Sequence, residues 1–151
     1  MQADGALGAV QRYFRDGYYS TSPAIDGWGP WQTVAGESDT DRTVTAEFTN
    51  SLVFVDLATV GPQVTVLVPP SGRVAVTLSA SIRDGMMAAE WFGGAAESQY
   101  SLLSALPNEL KMSYRHVFAG LTPGLTTFTA KYRAYATSAT FSYRELTVEP
   151  L

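Results

Sequence analysis

The chain has 151 residues, enough for one domain with a sizeable core, since domains contain roughly 100–200 residues. It has no cysteine, which excludes disulfides, thiolate metal sites and thiol nucleophiles. The net charge is −4 and the ten basic residues are scattered, which argues against a nucleic-acid-binding module with its usual basic patch.

The first part of the chain, residues 1–41, is rich in Gly, Tyr, Trp, Asp and Ser, and we predict a loop-rich N-terminal arm. Apolar side chains recur with helical spacing over residues 6–15, which predicts a short amphipathic helix. Glycines and prolines then interrupt residues 16–36, so this part is predicted to be loop. Residues 1–4 lack the features of a signal peptide, and no apolar run approaches the ~20 residues that span a bilayer. We therefore expect no membrane insertion.

Residues 42–151 have the texture of β-structure, with apolar and polar residues in alternation. Short strands separated by turn residues are typical of an all-β sandwich or barrel, and about eight are expected here. We predict a jelly-roll-like antiparallel β-sandwich. The predicted strands are, in chain order, Thr43–Phe48, Leu52–Leu57, Gln63–Val68, Arg73–Ile82, Met86–Phe92, Lys111–Phe118, Leu125–Tyr135 and Ala139–Glu149.

Local signals refine this prediction at two places. Asp84-Gly85 lies between two strand-like runs and predicts a tight turn joining adjacent antiparallel strands, since a type I′ turn needs two positive φ angles. The apolar parity of the last strand shifts near Arg144, which predicts a β-bulge. Residues 95–109 read as a short helix or a loop.

Residues 52–57 are apolar on both predicted faces, so Phe54 and Val55 cannot both point into the core of one sandwich. Only 16% of all residues are charged, against a typical ~25%. Both observations indicate that part of the surface is covered by the arm or by another subunit. We therefore predict a stable homo-oligomer.

Four stretches of the sequence resemble a β domain that recurs in minor tail and tail-fibre proteins of phages infecting actinobacteria. The resemblance covers roughly residues 50–151 and implies a jelly-roll-like virion domain, often trimeric, made in the host cytoplasm and placed on the particle surface. The four stretches are Val55–Val66 (VDLATVGPQVTV), Ser71–Ala80 (SGRVAVTLSA), Gly120–Arg133 (GLTPGLTTFTAKYR) and Ala139–Leu151 (ATFSYRELTVEPL).

Large aromatic residues cluster in the N-terminal arm and must be covered somewhere. They can pack on the arm's own sandwich, dock onto another virion protein or bind a ligand. We take them as candidate particle-docking residues: Tyr13, Phe14, Tyr18, Tyr19, Trp28 and Trp31.

A second candidate set surrounds a Gly-Gly turn: Glu90, Trp91, Phe92 and Tyr100. Aromatic rings beside carboxylates suit contact with sugars, ordinary packing or a subunit interface. Glu90 with Glu97 would also suit a glycosidase pair, although their spacing in sequence does not establish the required separation.

The remaining candidates for chemistry are weaker. His116 is the only histidine, and no nucleophile motif accompanies it, so a core or interface role is favoured over catalysis. Glu37, Asp39 and Asp41 alternate like calcium ligands but lack the central Gly and the terminal Glu of a hand-type loop, so a solvated linker is favoured.

We therefore expect no enzyme activity, metal or cofactor, and no nucleic-acid partner. The sequence favours a tail-associated surface protein that contributes to host attachment, with other virion proteins, its own copies and a host cell-surface glycan as partners. The alternatives are a capsid decoration or head-fibre protein, and a carbohydrate-binding module.

Overall fold

The computed structural model describes residues 38–151, together with the backbone of Tyr13–Phe14 and Gln32–Thr33. These two short segments form strands β1 and β2, which pair antiparallel. The predicted helix over residues 6–15 is therefore wrong at Tyr13–Phe14, where pairing with Gln32–Thr33 keeps the backbone extended. The rest of that prediction lies outside the described residues.

Nine further strands occupy the continuous stretch from residue 38 onward, and one turn of 3-10 helix, Ser98–Tyr100, precedes β8. The strands are β3 (Asp39–Thr43), β4 (Glu47–Thr49), β5 (Gln63–Val68), β6 (Val74–Arg83), β7 (Gly85–Trp91), β8 (Ser101–Ser104), β9 (Leu110–Phe118), β10 (Gly124–Ala134) and β11 (Ala139–Pro150).

The strands form two antiparallel sheets that pack face to face. The first sheet has the order β5-β10-β7-β8, and the second has the order β3-β11-β6-β9, with β4 also paired to β11. The pairing is nested along the chain: β3 and β4 pair with β11, β5 with β10, β6 with β9, and β7 with β8. A long antiparallel hairpin rolled up in this way is a jelly roll, so the predicted fold is confirmed.

The core lies between the sheets and follows the predicted alternation. On β5 the side chains of Val64, Val66 and Val68 are buried, while those of Gln63 and Thr65 are exposed. The central strands contribute the largest part of the core through Val74, Val76, Leu78, Ala80 and Ile82 of β6 and Phe128, Ala130, Tyr132 and Ala134 of β10.

The Asp84-Gly85 turn does not join adjacent strands, and this prediction is wrong. β6 belongs to the second sheet and β7 to the first, so the turn carries the chain from one sheet to the other. Asp84 has a positive φ of 53°. A Cβ on Gly85 would lie 2.5 Å from both the Cβ of Ala139 and the Cζ of Phe141. At this corner Asp84 adopts a positive φ and Gly85 allows close packing. A hairpin turn also favours an Asp-Gly dipeptide, so the sequence does not distinguish the two structures.

Residues 52–57 do not form the predicted strand. Val55 alone makes an isolated bridge, exchanging two backbone hydrogen bonds of 2.9 Å with Tyr132, and Leu52 and Val53 are 58% and 68% exposed. β5 pairs with the first half of β10, at Gly124–Thr129, so this segment meets β10 only over its second half. The predicted strand is therefore wrong: this apolar run makes one bridge to β10, and part of it stays at the surface.

The bulge predicted near Arg144 is confirmed. The register between β11 and β6 shifts between Ser142 and Glu145, and Tyr143 takes a positive φ of 49°. The shift turns the Arg144 side chain inward, where it is fully buried.

Candidate functional site

The second candidate set is divided between two places on the molecule, the outer face of the first sheet and the side of the sandwich. Glu90 lies on the outer face of the first sheet, where it contacts Lys131. Trp91 and Tyr100 pack at the side of the sandwich, and the Phe92 side chain is 98% exposed. The four residues are close in sequence, but they do not form one site.

An aromatic strip runs along the side of the sandwich, consisting of Trp91, Phe118, Tyr100, His116 and Tyr114. The ring centroids of Trp91 and Phe118 are 4.6 Å apart, and those of Tyr100 and Phe118 are 5.2 Å apart. The His116 ring lies 4.3 Å from that of Tyr100 and 4.7 Å from that of Phe118. The rings are thus a continuous packed row.

The strip is open to solvent because β9 is an edge strand of the second sheet. Alternation along β9 points Tyr114, His116 and Phe118 toward the core side, but Tyr114 and His116 are only half-buried there. The Tyr114 hydroxyl lies 3.5 Å from Nδ1 of His116. His116 is therefore held by rings and a phenol, in an arrangement that packs the edge of the sandwich.

An apolar patch, the tip patch, lies beside the strip and comprises Phe92, Leu121, Pro123 and Leu125. Its residues border a recess of about 230 Å³ that Trp91 also lines. Leu125 is 70% exposed, in addition to the almost free Phe92 ring. Exposed apolar patches of this kind mark surfaces that contact other molecules.

A groove of about 370 Å³, here named the Lys131 groove, crosses the outer face of the first sheet. Strand β10 supplies Lys131 and Arg133 to its lining, because alternate residues of a strand share a face. Residues 52–54 form one apolar wall, and Ala95, Ala96 and Ser98 contribute to its lining as well.

Two carboxylates hold the ammonium group of Lys131. Nζ lies 2.8 Å from both carboxylate oxygens of Asp56 and 3.0 Å from Oε2 of Glu90. Burial alone lowers the pKa of Lys131, but hydrogen bonds to Asp56 and Glu90 outweigh it and raise that pKa above its usual 10.5. The Lys131 side chain therefore stays charged over the physiological range and fixes the orientation of both carboxylates.

Arg133 makes few contacts with the rest of the protein. Its Cζ lies 5.7 Å from the centroid of the Phe54 ring, and Nη1 donates one long hydrogen bond of 3.4 Å to the Leu52 carbonyl. Its Nε is buried and has no hydrogen-bond partner among the described residues. A ligand cannot reach the buried Nε, so the donors that Arg133 can offer to the groove are those of its terminal guanidinium nitrogens.

Sequence reasoning found only part of this groove. Glu90 was a candidate, and the alternation along β10 places Lys131 and Arg133 on one face. Asp56 and Phe54 were missed because they lie about 75 residues away along the chain from Lys131. Only the bridge between Val55 and Tyr132 brings that segment alongside β10.

The candidate docking residues of the arm are mostly beyond the described part of the chain. For Tyr13 and Phe14 the structure gives the backbone pairing with Thr33 and Gln32. The others, Tyr18, Tyr19, Trp28 and Trp31, lie outside the described residues.

The acidic set is not one loop. Asp39 and Asp41 lie in strand β3, and Oδ2 of Asp41 accepts a 2.8 Å hydrogen bond from the backbone amide of Gln63. Glu37 lies outside the described residues. Within residues 38–151 and the two short strands, no three His, Asp or Glu side chains are grouped to hold a metal, and no helix is long and apolar enough to cross a membrane.

Comparison with known proteins adds no relative. No protein-family model matches the sequence, and a search of curated proteins finds no match.

Proposed function

We propose that this chain is a non-enzymatic structural protein of a phage or phage-like particle, a tail-associated protein at the virion surface that contributes to host attachment. The observation that carries the proposal is where the four stretches resembling tail proteins lie in the fold. One of them contains all of β11, two contain most of β6 and of β10, and the fourth contains the start of β5. These strands pair two by two: β5 with β10 at one side of the first sheet, and β6 with β11 at the centre of the second. The resemblance therefore concerns one coherent framework.

The surface supports a role in assembly. Three large apolar side chains are strongly exposed: Phe92 at 98%, Phe48 at 73% and Val53 at 68%. The whole chain also has few charged residues, which leaves more of its surface without charge. Apolar side chains in such exposed positions suit contact with neighbouring subunits or other virion proteins.

The arrangement of the acidic and histidine side chains supports a protein without catalysis. Glu90 is paired with Lys131, whereas Glu97 accepts a hydrogen bond from Gln99. His116 packs against the rings of Tyr100 and Phe118 and is half-buried. None of these groups is set against a nucleophile in the way that hydrolysis requires.

A carbohydrate-binding module is the second candidate, and the Lys131 groove favours it. Polar groups that are already oriented, beside an aromatic ring, are the usual components of a small-molecule site. A glycan-binding domain and a virion surface protein are compatible, since attachment to a host commonly requires both a scaffold and a recognition site.

The proposal is tested by locating the protein on virions. Antibodies raised against the full chain are applied to particles of a phage whose genome encodes it, and gold labels are viewed by electron microscopy. We expect label on the tail. Label on the head would establish the capsid decoration alternative and overturn the tail assignment, and unlabelled particles that also lack the chain by mass spectrometry would overturn the virion role.

A further inference from the structure

We propose that the Lys131 groove binds an uncharged saccharide through adjacent hydroxyl groups. The inference deepens the proposed function, on which it rests for the source of the saccharide, a host cell surface. The sequence suggested sugar contact at Trp91, Phe92 and Tyr100, whereas the groove lies on the outer face of the first sheet.

The dimensions of the groove suit a short saccharide. It is a shallow depression of about 370 Å³ that is largely open to solvent, so a short saccharide can lie along it with one face exposed. The groove lies on the regular strand β10, so its polar groups are held by a sheet instead of by loops alone.

The balance of charges argues for an uncharged ligand. Lys131, Arg133 and Glu90 line the groove, and Asp56 lies next to it, bound to Nζ of Lys131. The two cations and the two anions of this cluster sum to zero. An anion would be attracted by the guanidinium and repelled by the two carboxylates, and a cation would meet the reverse. A hydroxyl group both donates and accepts, so sugar hydroxyls can use the carboxylates and the guanidinium together.

The polar groups are oriented before any ligand arrives. Asp56 and Glu90 both contact Nζ of Lys131, yet their side chains remain 39% and 44% exposed. Each carboxylate therefore keeps acceptor capacity toward solvent. Arg133 lines the same groove, and among the described residues its guanidinium makes one hydrogen bond, a long one of 3.4 Å to the Leu52 carbonyl.

The walls of the groove complement the other face of a sugar ring. Phe54, Leu52 and Val53 offer apolar surface on one wall, and Ala95 and Ala96 add methyl groups. The C–H face of a saccharide is apolar while its edges are polar, which matches apolar walls around a charged floor.

The test is isothermal titration of the full chain with two matched panels. The first contains uncharged oligosaccharides of glucose, galactose and mannose, and the second contains the corresponding oligomers of glucuronic, galacturonic and mannuronic acid. We expect at least one uncharged oligosaccharide to bind, with little dependence on salt concentration, because no net charge is neutralised.

Variants then locate the site. Arg133→Gln and Glu90→Gln are each expected to weaken binding by about tenfold, since each removes a charged hydrogen-bonding partner. Arg115→Gln is the matched control: Arg115 is paired with Glu149 on the second sheet, and its removal should leave affinity unchanged. Thermal melting of every variant verifies the fold, and Phe54→Ala provides a further binding variant without a charge change.

Three results would overturn the inference: no binding to any uncharged oligosaccharide, tighter binding of the uronic-acid panel, or unchanged affinity in properly folded Arg133→Gln. The failures are distinguishable from those of the proposed function. Tail labelling without saccharide binding removes the groove inference alone, whereas saccharide binding without virion labelling removes the tail assignment and leaves the groove.

Discussion

At the scale of single residues, the most unusual side chain is Arg144, which is fully buried on the central strand β11. Its Nη2 lies 3.0 Å from Oε2 of Glu47, and its Cζ lies 5.2 Å from the centroid of the Tyr132 ring. Nε and Nη1 have no hydrogen-bond partner among the described residues. A buried guanidinium is stable only where a nearby negative charge compensates its positive charge. The Glu47 carboxylate provides that charge for Arg144.

The Glu47–Arg144 pair predicts a strong coupling in stability. Glu47→Gln leaves the buried cation unpaired and is expected to destabilise the protein by about 3–5 kcal/mol. Glu47→Gln combined with Arg144→Met removes both charges and should cost clearly less than the sum of the two single changes. Urea denaturation of the four proteins gives the coupling, and additive effects would contradict this account.

The same carboxylate predicts a pH dependence. Burial alone raises the pKa of Glu47, but hydrogen bonds from the Thr59 hydroxyl and amide and the charge of Arg144 outweigh it and hold that pKa below its usual 4.5. A folded-state pKa below the unfolded one stabilises the native state above pH 4.5, and this contribution is lost as pH falls through the folded value.

We therefore expect the urea midpoint of the wild type to fall on acidification below pH 4.5 more steeply than that of Glu47→Gln. Parallel curves for the two proteins would show that Glu47 does not contribute in this way.

At the scale of elements, the two faces of strand β6 differ in how much a charged substitution should destabilise the protein. The side chain of Val76 is 2% exposed and lies in the core, whereas that of the neighbouring Thr77 points outward. Val76→Asp buries a charge without a partner and is expected to cost more than about 3 kcal/mol, lowering the melting temperature sharply. Thr77→Asp is the matched control on the same strand and should change stability little. Equal melting temperatures for the two variants would contradict the assigned faces.

The corner between β6 and β7 gives a second prediction at this scale. Gly85→Ala would place a Cβ 2.5 Å from Ala139 and Phe141, and we expect a loss of about 1–3 kcal/mol from overpacking. Gly93→Ala is the comparison, because nothing lies within 4 Å of the added Cβ and only the positive φ of 82° is unfavourable. Chemical denaturation should rank Gly85→Ala as the more damaging change, and the reverse order would argue against close packing at this corner.

At the scale of the whole molecule, the nested pairing closes the sandwich by joining distant parts of the chain. Val148 in β11 pairs with Asp39 in β3 and with Val76 in β6, so the last strand holds the first and the middle of the sandwich together. Closure nevertheless leaves large apolar side chains such as Phe48 and Phe92 exposed. These side chains point to a molecule that completes its surface with neighbours.

We predict that the full chain forms a homotrimer. Size exclusion coupled to light scattering should give a mass of three chains of 16.3 kDa each, persisting on dilution if each interface buries more than about 1,000 Å². A monomer mass at all concentrations would contradict self-assembly and would favour docking of the chain on a different virion protein.

Much of the fold could be predicted from local patterns. Alternation in β5, β6 and β10 identified the buried faces, because side chains of an extended chain point alternately to its two sides. The shift of parity near Arg144 identified the bulge for the same reason, since one extra residue reverses every side chain beyond it. The candidate site was predicted less completely. Local patterns identified Glu90 as a candidate but not its partners Asp56 and Lys131, which are distant from each other in sequence.

Local sequence patterns are sufficient to specify that residues 42–151 form β-structure, which faces of the strands are apolar, and where β11 changes register. Each of these properties depends on neighbours within a few residues. The tertiary structure alone decided which strands pair, that Asp84-Gly85 turns between sheets, and that the 52–56 segment meets β10 at Tyr132. These outcomes depend on the packing of strands that are distant in sequence. Alternation shows which face of a strand is buried, but not which strand packs against that face. The Lys131 groove exists for that reason: Glu90 and Asp56 approach one ammonium group only because β7 pairs with β10 and the 52–56 segment bridges β10 at Tyr132.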